Sequence, residues 1–395
     1  MIAPGATIGI LGGGQLGRMT ALAARAMGYR IHVLDPDPEC SASPVSDRCV
    51  AARFDDVDAA REFARHCDVV TLEIEQIATA VIDAAHAYAP TRPGAELIGI
   101  VQDRARQKAW LEKNGFPVGP YRAVNGADDI ASAARSFGDS FVKSCRGGYD
   151  GRSQVRVSNA SEAADAWRAL GERPAVAEQG LQLAGELSVL VARRPGGDMA
   201  VFPAALNHHE RQVLVWSVIP APLNTTIVAQ ATEIGRGIAT RIGIEGLIAV
   251  ELFLTTSGEL FVNELAPRPH NSFHASERAC VTSQFEQLAR AVCDLPLGEV
   301  SLVRPAAIVN LFGDLWRDDG APDFERALSD PVVRLHLYGK PGARPGRKMG
   351  HLSATGVSPL DALESARQAA GEIGVATEAM PETLRPFLRR RRDVD

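Results

Sequence analysis

The sequence predicts an α/β N-terminal domain joined to a larger α+β body, and three observations lead there. Residues 7 to 11 (TIGIL) are a short apolar run that passes directly into Gly12-Gly13-Gly14-Gln15-Leu16-Gly17, after which Leu16, Met19, Ala23 and Ala26 recur at helical spacing. Beyond Gly115 the segments are mostly of strand length, interrupted by one long helical pattern from 226 to 242. The stretch from Gly246 to Ser272 then reads as a β-hairpin, GLIAVELFL and ELFVNEL about a Thr-Ser-Gly turn. At 395 residues the chain exceeds one ordinary core, so two or three domains are expected.

Composition narrows the function classes. A net charge of −6 argues against a nucleic-acid binder held by bulk charge. No apolar run reaches the ~18 residues of a transmembrane helix, and the start lacks the charged and apolar regions of a signal peptide. The six cysteines show neither C-x-x-C pairs nor disulfide-framework density, and read as reduced thiols in a cytoplasmic protein.

In order along the chain, the first strand and helix are followed by a strand at 31 to 34 ending in Asp35, a helix at 56 to 66 and a strand at 68 to 72 ending in Glu73 and Glu75. Strand, helix, strand in this rhythm is parallel α/β. Residues 102 to 114 (QDRARQKAWLEKN) read as a charged, exposed helix ended by Gly115. Strands are expected at 141–144, 153–157, 175–179, 186–193, 200–206 and 214–218. After the hairpin come a helix near 283–293, strands at 306–311 and 332–337, a Gly/Pro/basic loop (GKPGARPGRKMG) and a helix at 359–373. The Arg389 to Arg392 run reads as solvated.

Four stretches carry chemistry. A Ser257-Gly258 turn places Glu251 opposite Glu264, and two facing carboxylates repel unless a cation lies between them. Mg²⁺ suits such a pair, because it binds oxygen and shares ligands with substrate phosphates; two unrelated surface acids are the alternative. Lys143 leads into Arg146-Gly147-Gly148-Tyr149-Asp150-Gly151-Arg152, glycine-rich and basic as a loop closing over phosphates would be. A plain glycine hairpin would look similar. Glu178-Gln179-Gly180-Leu181, with Glu186 beyond it, suits an adenosine edge or an ordinary β-turn. Lys340, Arg344, Arg347 and Lys348 could hold a ligand phosphate or simply be solvated. The G-x-G-x-x-G at 12 to 17 with Asp35 beyond it also matches the dinucleotide fingerprint, so a nicotinamide or flavin enzyme is the competing reading of the first domain.

Taken together the motifs resemble the ATP-grasp ligases, and among them the N5-carboxyaminoimidazole ribonucleotide synthetases of purine biosynthesis. The pieces are GGGQLGRM, DPDP, TLEIEQI, QDRARQK, RGGYDGR, EQG…GELSV, AVELF…FVNELAPRPHNS, ACVTSQFEQ and GRKMGH, in that order over nearly the whole chain. The resemblance implies a Rossmann-like pre-ATP-grasp domain at 1–103, an ATP-grasp domain at 104–296 with a mobile lid near 115–180, and a small C-terminal domain at 297–395. It replaces the dinucleotide reading of the glycine loop with a ribonucleotide one. It further implies that ATP phosphorylates bicarbonate to carboxyphosphate, and that the amine of aminoimidazole ribonucleotide is then carboxylated with release of ADP and phosphate. A homodimer and Mg²⁺ are expected with it.

Carried onto this sequence, the resemblance gives ATP to Arg104, Lys143, Gly148, Tyr149, Asp150, Gly151, Arg152, Ser153, Gln154, Glu178, Gln179, Gly180, Leu181, Glu186, His209, Asn263 and Glu264. The ribonucleotide goes to Gln15, Glu73, Tyr149, His270, Asn271 and Ser272, with its phosphate on Lys340 and Arg347. Metal falls to Glu251 and Glu264, and the chemistry to Lys143, Arg268 and Tyr149. This chain departs from the family pattern at Ser153, Phe273, Ala275 and Arg278, and near 207 to 213 it lacks a usual glycine. Those departures predict that substrate identity is decided at 273 to 278; the alternative they raise is a ligase for another acyl substrate, such as formate.

Overall fold

The computed structural model describes residues 1–147, 153–316 and 320–389. Its first unit is a four-stranded parallel sheet in the order Arg48–Ala51, Arg30–Asp35, Thr7–Leu11, Val69–Leu72. Thr7–Leu11 is buried throughout, as a central parallel strand must be. The helix Gln15–Ala26 follows at once and buries Leu16, Met19, Ala21 and Ala24. The helix Val57–Ala64 begins where Asp56 accepts a hydrogen bond from the Ala59 backbone N–H, a cap of about 1 kcal/mol.

Among the described residues the main sheet has nine antiparallel strands, with Met199–Val201 off its path beside Leu183–Arg193. Its path runs Leu260–Ala266, Gly246–Thr255, Leu183–Arg193, Ala205–Glu210, Val213–Ile219, Ala306–Phe312, Lys348–Thr355, Val333–Leu337. The last three strands, from the segment expected as a small C-terminal domain, are hydrogen-bonded into the body of the molecule. The helix Thr225–Ile242, capped by Asn224 and ended by left-handed Gly243, packs on this sheet. At Gly235 a Cβ would lie 2.6 Å from Val189 Cγ1, so glycine permits the close approach.

A third sheet, Tyr121–Val124, Ala175–Gln179, Ser140–Ser144, Gln154–Val157, carries helices Ala127–Phe137 and Ala163–Ala169 and has its own small core around Val142, Ile130 and Ala166. This unit spans the segment expected as a lid.

Local expectation and structure part company in a few places. The strand expected at 200–206 is two strands, Met199–Val201 and Ala205–Glu210, because Pro203 between them has no N–H to give a ladder. The basic loop ends early, Lys348 already opening the strand Lys348–Thr355. The strand Arg48–Ala51 and the helices at 79–86, 95–101, 127–137 and 163–169 lay outside the sequence reading.

Candidate active site

Glu251 and Glu264 are register partners on the hairpin, as the sequence predicts, though the route differs. The turn is one residue longer than expected: Gly258 sits at φ +88 and its N–H reaches the Thr255 carbonyl, so Leu254 faces Leu260. A β-bulge at Asn263 then takes up the extra residue and restores the glutamate pairing. Both Asn263 and Glu264 consequently line the same cavity, which has a volume of about 1100 Å³.

The two carboxylates differ. Burial would raise Glu251, but the His270 Nε2–H donates to its Oε1 at 2.8 Å and holds it well below the ordinary range. Burial and the neighbouring Glu251 charge push Glu264 the other way. A second carboxylate forced up by its neighbour, in a cleft lined by oxygen donors, is a site that a divalent cation would relieve. The donor set thus suits a divalent cation that prefers oxygen, which Glu251 and Glu264 could hold.

On the lid side of the cavity Glu178 is gripped by two lysines. Lys143 Nζ lies 3.0 Å from Oε2 and Lys108 Nζ 3.2 Å from Oε1. Burial raises the Glu178 carboxyl, but the two ammonium groups outweigh it and hold the group charged. Lys108 was missed in the sequence. Its helix, Arg104–Lys113, was expected to be exposed, yet Gln107, Lys108 and Leu111 are buried. Gln107 Oε1 accepts the Leu265 N–H, which ties the helix to the hairpin carrying Glu251 and Glu264, and Arg104, one turn before Lys108, also faces the cavity. The i, i+4 spacing of Arg104 and Lys108 was the available signal.

Glu186 Oε2 lies 3.0 Å from His209 Nδ1, and the ion pair keeps His209 protonated more readily than usual despite its burial. A bulge between His208 and His209 turns the first ring onto Trp216 and the second toward the cavity. Ser153, Gln154, Gln179 and Leu181 line the same wall. Gly180 does not, its N–H being bonded to the Asp139 carbonyl. Gly148, Tyr149, Asp150, Gly151 and Arg152 lie outside the described residues, as does the Arg390–Arg392 part of the tail.

At the far end is the glycine loop, and it is already filled. Glu73 accepts the Gly14 N–H at 2.6 Å and the Gly17 N–H at 2.5 Å, where the N-terminus of the first helix would otherwise hold a dinucleotide pyrophosphate. Asp35 accepts the Gly13 N–H instead of standing free for a ribose. The fingerprint is met in sequence and occupied in space. Gln15 Oε1 accepts from Lys340 Nζ at 2.6 Å, so the first helix and the C-terminal loop meet; Arg347 lines the cavity beside them.

Arg268 is held by Glu75 at 2.5 and 3.1 Å, with its guanidinium at the cavity wall. His270 and Asn271 also line the cavity, and both polar atoms of the buried Asn271 amide lack a protein partner, as a ligand contact would. Ser272 departs from the ligand role expected of it. Its hydroxyl is fully buried, 2.7 Å from His270 Nδ1 and 2.7 Å from Ser188 Oγ, in a network that continues to Asn207 and Ser217. It orients His270 from behind.

The expectation that 273 to 278 decides the substrate is also corrected. Phe273 is fully buried and packs edge-on against Phe202 at 6.0 Å; Ala275 is fully buried; Arg278 donates to the Val332 carbonyl. None of the three lines the cavity, because this segment turns away from it after Asn271. Of the four departures only Ser153 does.

Comparisons with known proteins agree with this architecture. Residues 109–285 match the ATP-grasp domain, residues 5–102 the ribonucleotide synthetase pre-ATP-grasp domain, and residues 306–365 the phosphoribosylaminoimidazole carboxylase C-terminal domain. Fold and site together define an ATP-grasp ligase. The N5-carboxyaminoimidazole ribonucleotide synthase of Bacillus subtilis is 38% identical over 360 residues, which cover 89% of this chain and 92% of that protein. An ADP complex of an N5-carboxyaminoimidazole ribonucleotide synthetase superposes with a TM-score of 0.87 at 38% identity, covering 93% of this chain and 97% of the other. The Aspergillus clavatus enzyme, solved with ADP and 5-aminoimidazole ribonucleotide, gives 0.83 at 29% identity, covering 93% and 98%. The chain belongs to the N5-carboxyaminoimidazole ribonucleotide synthase family.

Proposed function

We propose that this chain couples ATP cleavage to N-carboxylation of 5-aminoimidazole ribonucleotide, with bicarbonate as the carbon source. The observation that carries the reading is one cavity with three differently equipped walls: the Glu251–Glu264 pair, the Lys108–Glu178–Lys143 clamp, and the Gln15–Lys340 contact beside Arg347. Two carboxylates, a lysine clamp and a distant cationic pocket suit a triphosphate and a second, monophosphorylated substrate approaching from opposite ends.

In this reading a bicarbonate oxygen attacks the γ-phosphorus and ADP leaves. The exocyclic amine of the ribonucleotide then attacks the carboxyl carbon, or CO₂ released from it, and phosphate departs. Lys143 and Arg104 offset the charge gathering on the phosphoryl oxygens. Arg268, oriented by Glu75, faces the developing carboxyphosphate, and Asn271 and His270 orient the imidazole. Glu251 and Glu264 would hold Mg²⁺, which when bound would supply further charge neutralisation. The intermediate hydrolyses readily, so the lid must exclude water.

The test is ADP formation with ATP and Mg²⁺, omitting bicarbonate and the ribonucleotide in turn. Turnover is expected only with both. Turnover that ignores the ribonucleotide, or that needs formate in place of bicarbonate, overturns the reading. Arg268→Ala is expected to lose bicarbonate-dependent turnover while still binding ATP.

A homodimer is proposed as well, supported by the exposed apolar side chains Val281, Leu302 and Val303, which the Val281–Ser301 and Val303–Ala279 backbone bonds bring together; light scattering on the purified chain tests it. No helix among the described residues is long and apolar enough to cross a membrane. A cytoplasmic location is proposed from the cysteine usage.

A further inference from the structure

We propose that Glu277, His336 and His351 form a site for a zinc-class divalent cation, distinct from the Glu251–Glu264 pair, which clips the segment after the His270–Ser272 loop to the C-terminal strands. His336 and His351 face each other in register across the antiparallel pair Val333–Leu337 and Lys348–Thr355. Their rings stack at 14° with centroids 5.1 Å apart, two imidazoles presented side by side by a rigid sheet. Glu277, on the short helix Ser276–Ala279, approaches from another part of the chain. One ligand atom of each residue lies within 4.8 Å of the other two.

The spacing suits an ion better than a direct contact. His336 Nδ1 and Glu277 Oε2 are 3.8 Å apart, too far for a hydrogen bond. Ligands at ~2.0–2.1 Å around a tetrahedral ion stand roughly 3.3 Å from each other, so small side-chain rotations would close the shell, with water as the fourth ligand. Two nitrogens and one carboxylate favour zinc over magnesium, which takes an oxygen shell. A supporting outer contact exists: Tyr338 Oη lies 2.9 Å from His351 Nδ1 and fixes that ring, while His274 stacks on it at 5.1 Å. Two imidazoles and a carboxylate thus converge from separate elements, with Arg18 near His336 and Arg334 near Glu277 adding positive charge at the rim. The site is structural, since it lies outside the cavity. It joins the helix just beyond His270 to the hairpin whose loop carries Lys340 and Arg347.

The experiment titrates Zn²⁺ into the full-length protein against a chromophoric chelator, with excess Mg²⁺ present to occupy the carboxylate pair. One tightly bound Zn²⁺ per chain is expected, and a higher melting temperature with it. Glu277→Gln and His336→Ala, both at partly accessible positions, are each expected to weaken binding at least ~10-fold and to abolish the Zn²⁺-dependent rise in melting temperature. Circular dichroism checks that the variants are folded. No Zn²⁺ uptake by the wild-type chain overturns the proposal. So does wild-type stoichiometry and affinity in both variants, which would assign the ion to thiols or to Glu251 and Glu264.

Discussion

Lys108 is buried, burial works against its charge, and Glu178 is the main group that offsets this. An ammonium taken out of water without a partner costs several kcal/mol, so Lys108, Lys143 and Glu178 stand or fall as a unit. Lys108→Met keeps the stem and removes the charge. With a charge-assisted contact worth ~1.5–3 kcal/mol, kcat/KM for ATP is expected to fall roughly 10- to 100-fold, read from initial rates at saturating ribonucleotide. At the other end, a Cβ on Gly14 would lie 2.3 Å from Glu73 Oε1. Gly14→Ala is therefore expected to dislodge the Glu73 cap and raise KM for the ribonucleotide, while leaving ATP binding, measured by calorimetry, near wild type. Unchanged ribonucleotide KM would mean that the glycine loop is only a turn.

Among the elements, the hairpin between Ala205–Glu210 and Val213–Ile219 shows what a missing glycine does. Arg211 and Gln212 form its two-residue turn at φ 48 and 68, a left-handed conformation that costs non-glycine residues ~1–2 kcal/mol each. Gln212→Gly is expected to stabilise the protein by up to about 1 kcal/mol, seen as a higher urea midpoint at unchanged slope. The sequence shows only that a usual glycine is missing near 207 to 213; the turn and its left-handed residues come from the structure. The hairpin at 246–266 is a different case. Glu251 faces Glu264 because a longer turn and a bulge at Asn263 cancel, so the right pairing followed from an incomplete picture. Bulges answer to neighbouring strands and have little local signature. The helix Arg104–Lys113 was misjudged for a related reason: its polar residues look solvated until Glu178 and Leu265, far along the chain, arrive to pair with them.

For the molecule as a whole, the decisive feature is that the C-terminal strands complete the main sheet. Val213–Ile219 pairs with Ala306–Phe312 through Trp216–Val309, Ser217–Ile308 and Val218–Ala307. Ending the chain at residue 296 would expose this buried strand as a long apolar edge. The truncated chain is expected to aggregate, where a separable C-terminal domain would leave a soluble, monodisperse remainder in size-exclusion chromatography with light scattering. The segment expected as a lid has a core of its own, and its amides are expected to gain hydrogen-exchange protection when ATP and Mg²⁺ are added.

By itself the sequence determined the parallel first domain, the glycine loop, the hairpin that carries the two glutamates, Lys143 and the basic C-terminal residues. These are written in local signals: period-two and helical spacing, glycines at turns, and side chains whose chemistry is fixed by their type. Tertiary structure decided which of them face the cavity. It placed Glu73 in the anion position of the glycine loop, turned Ser272 and Phe273 into the interior, and brought Lys108 to Glu178. The reason is physical. A side chain's partner and its burial are set by contacts between segments distant in sequence, and no local pattern encodes the far side of a contact.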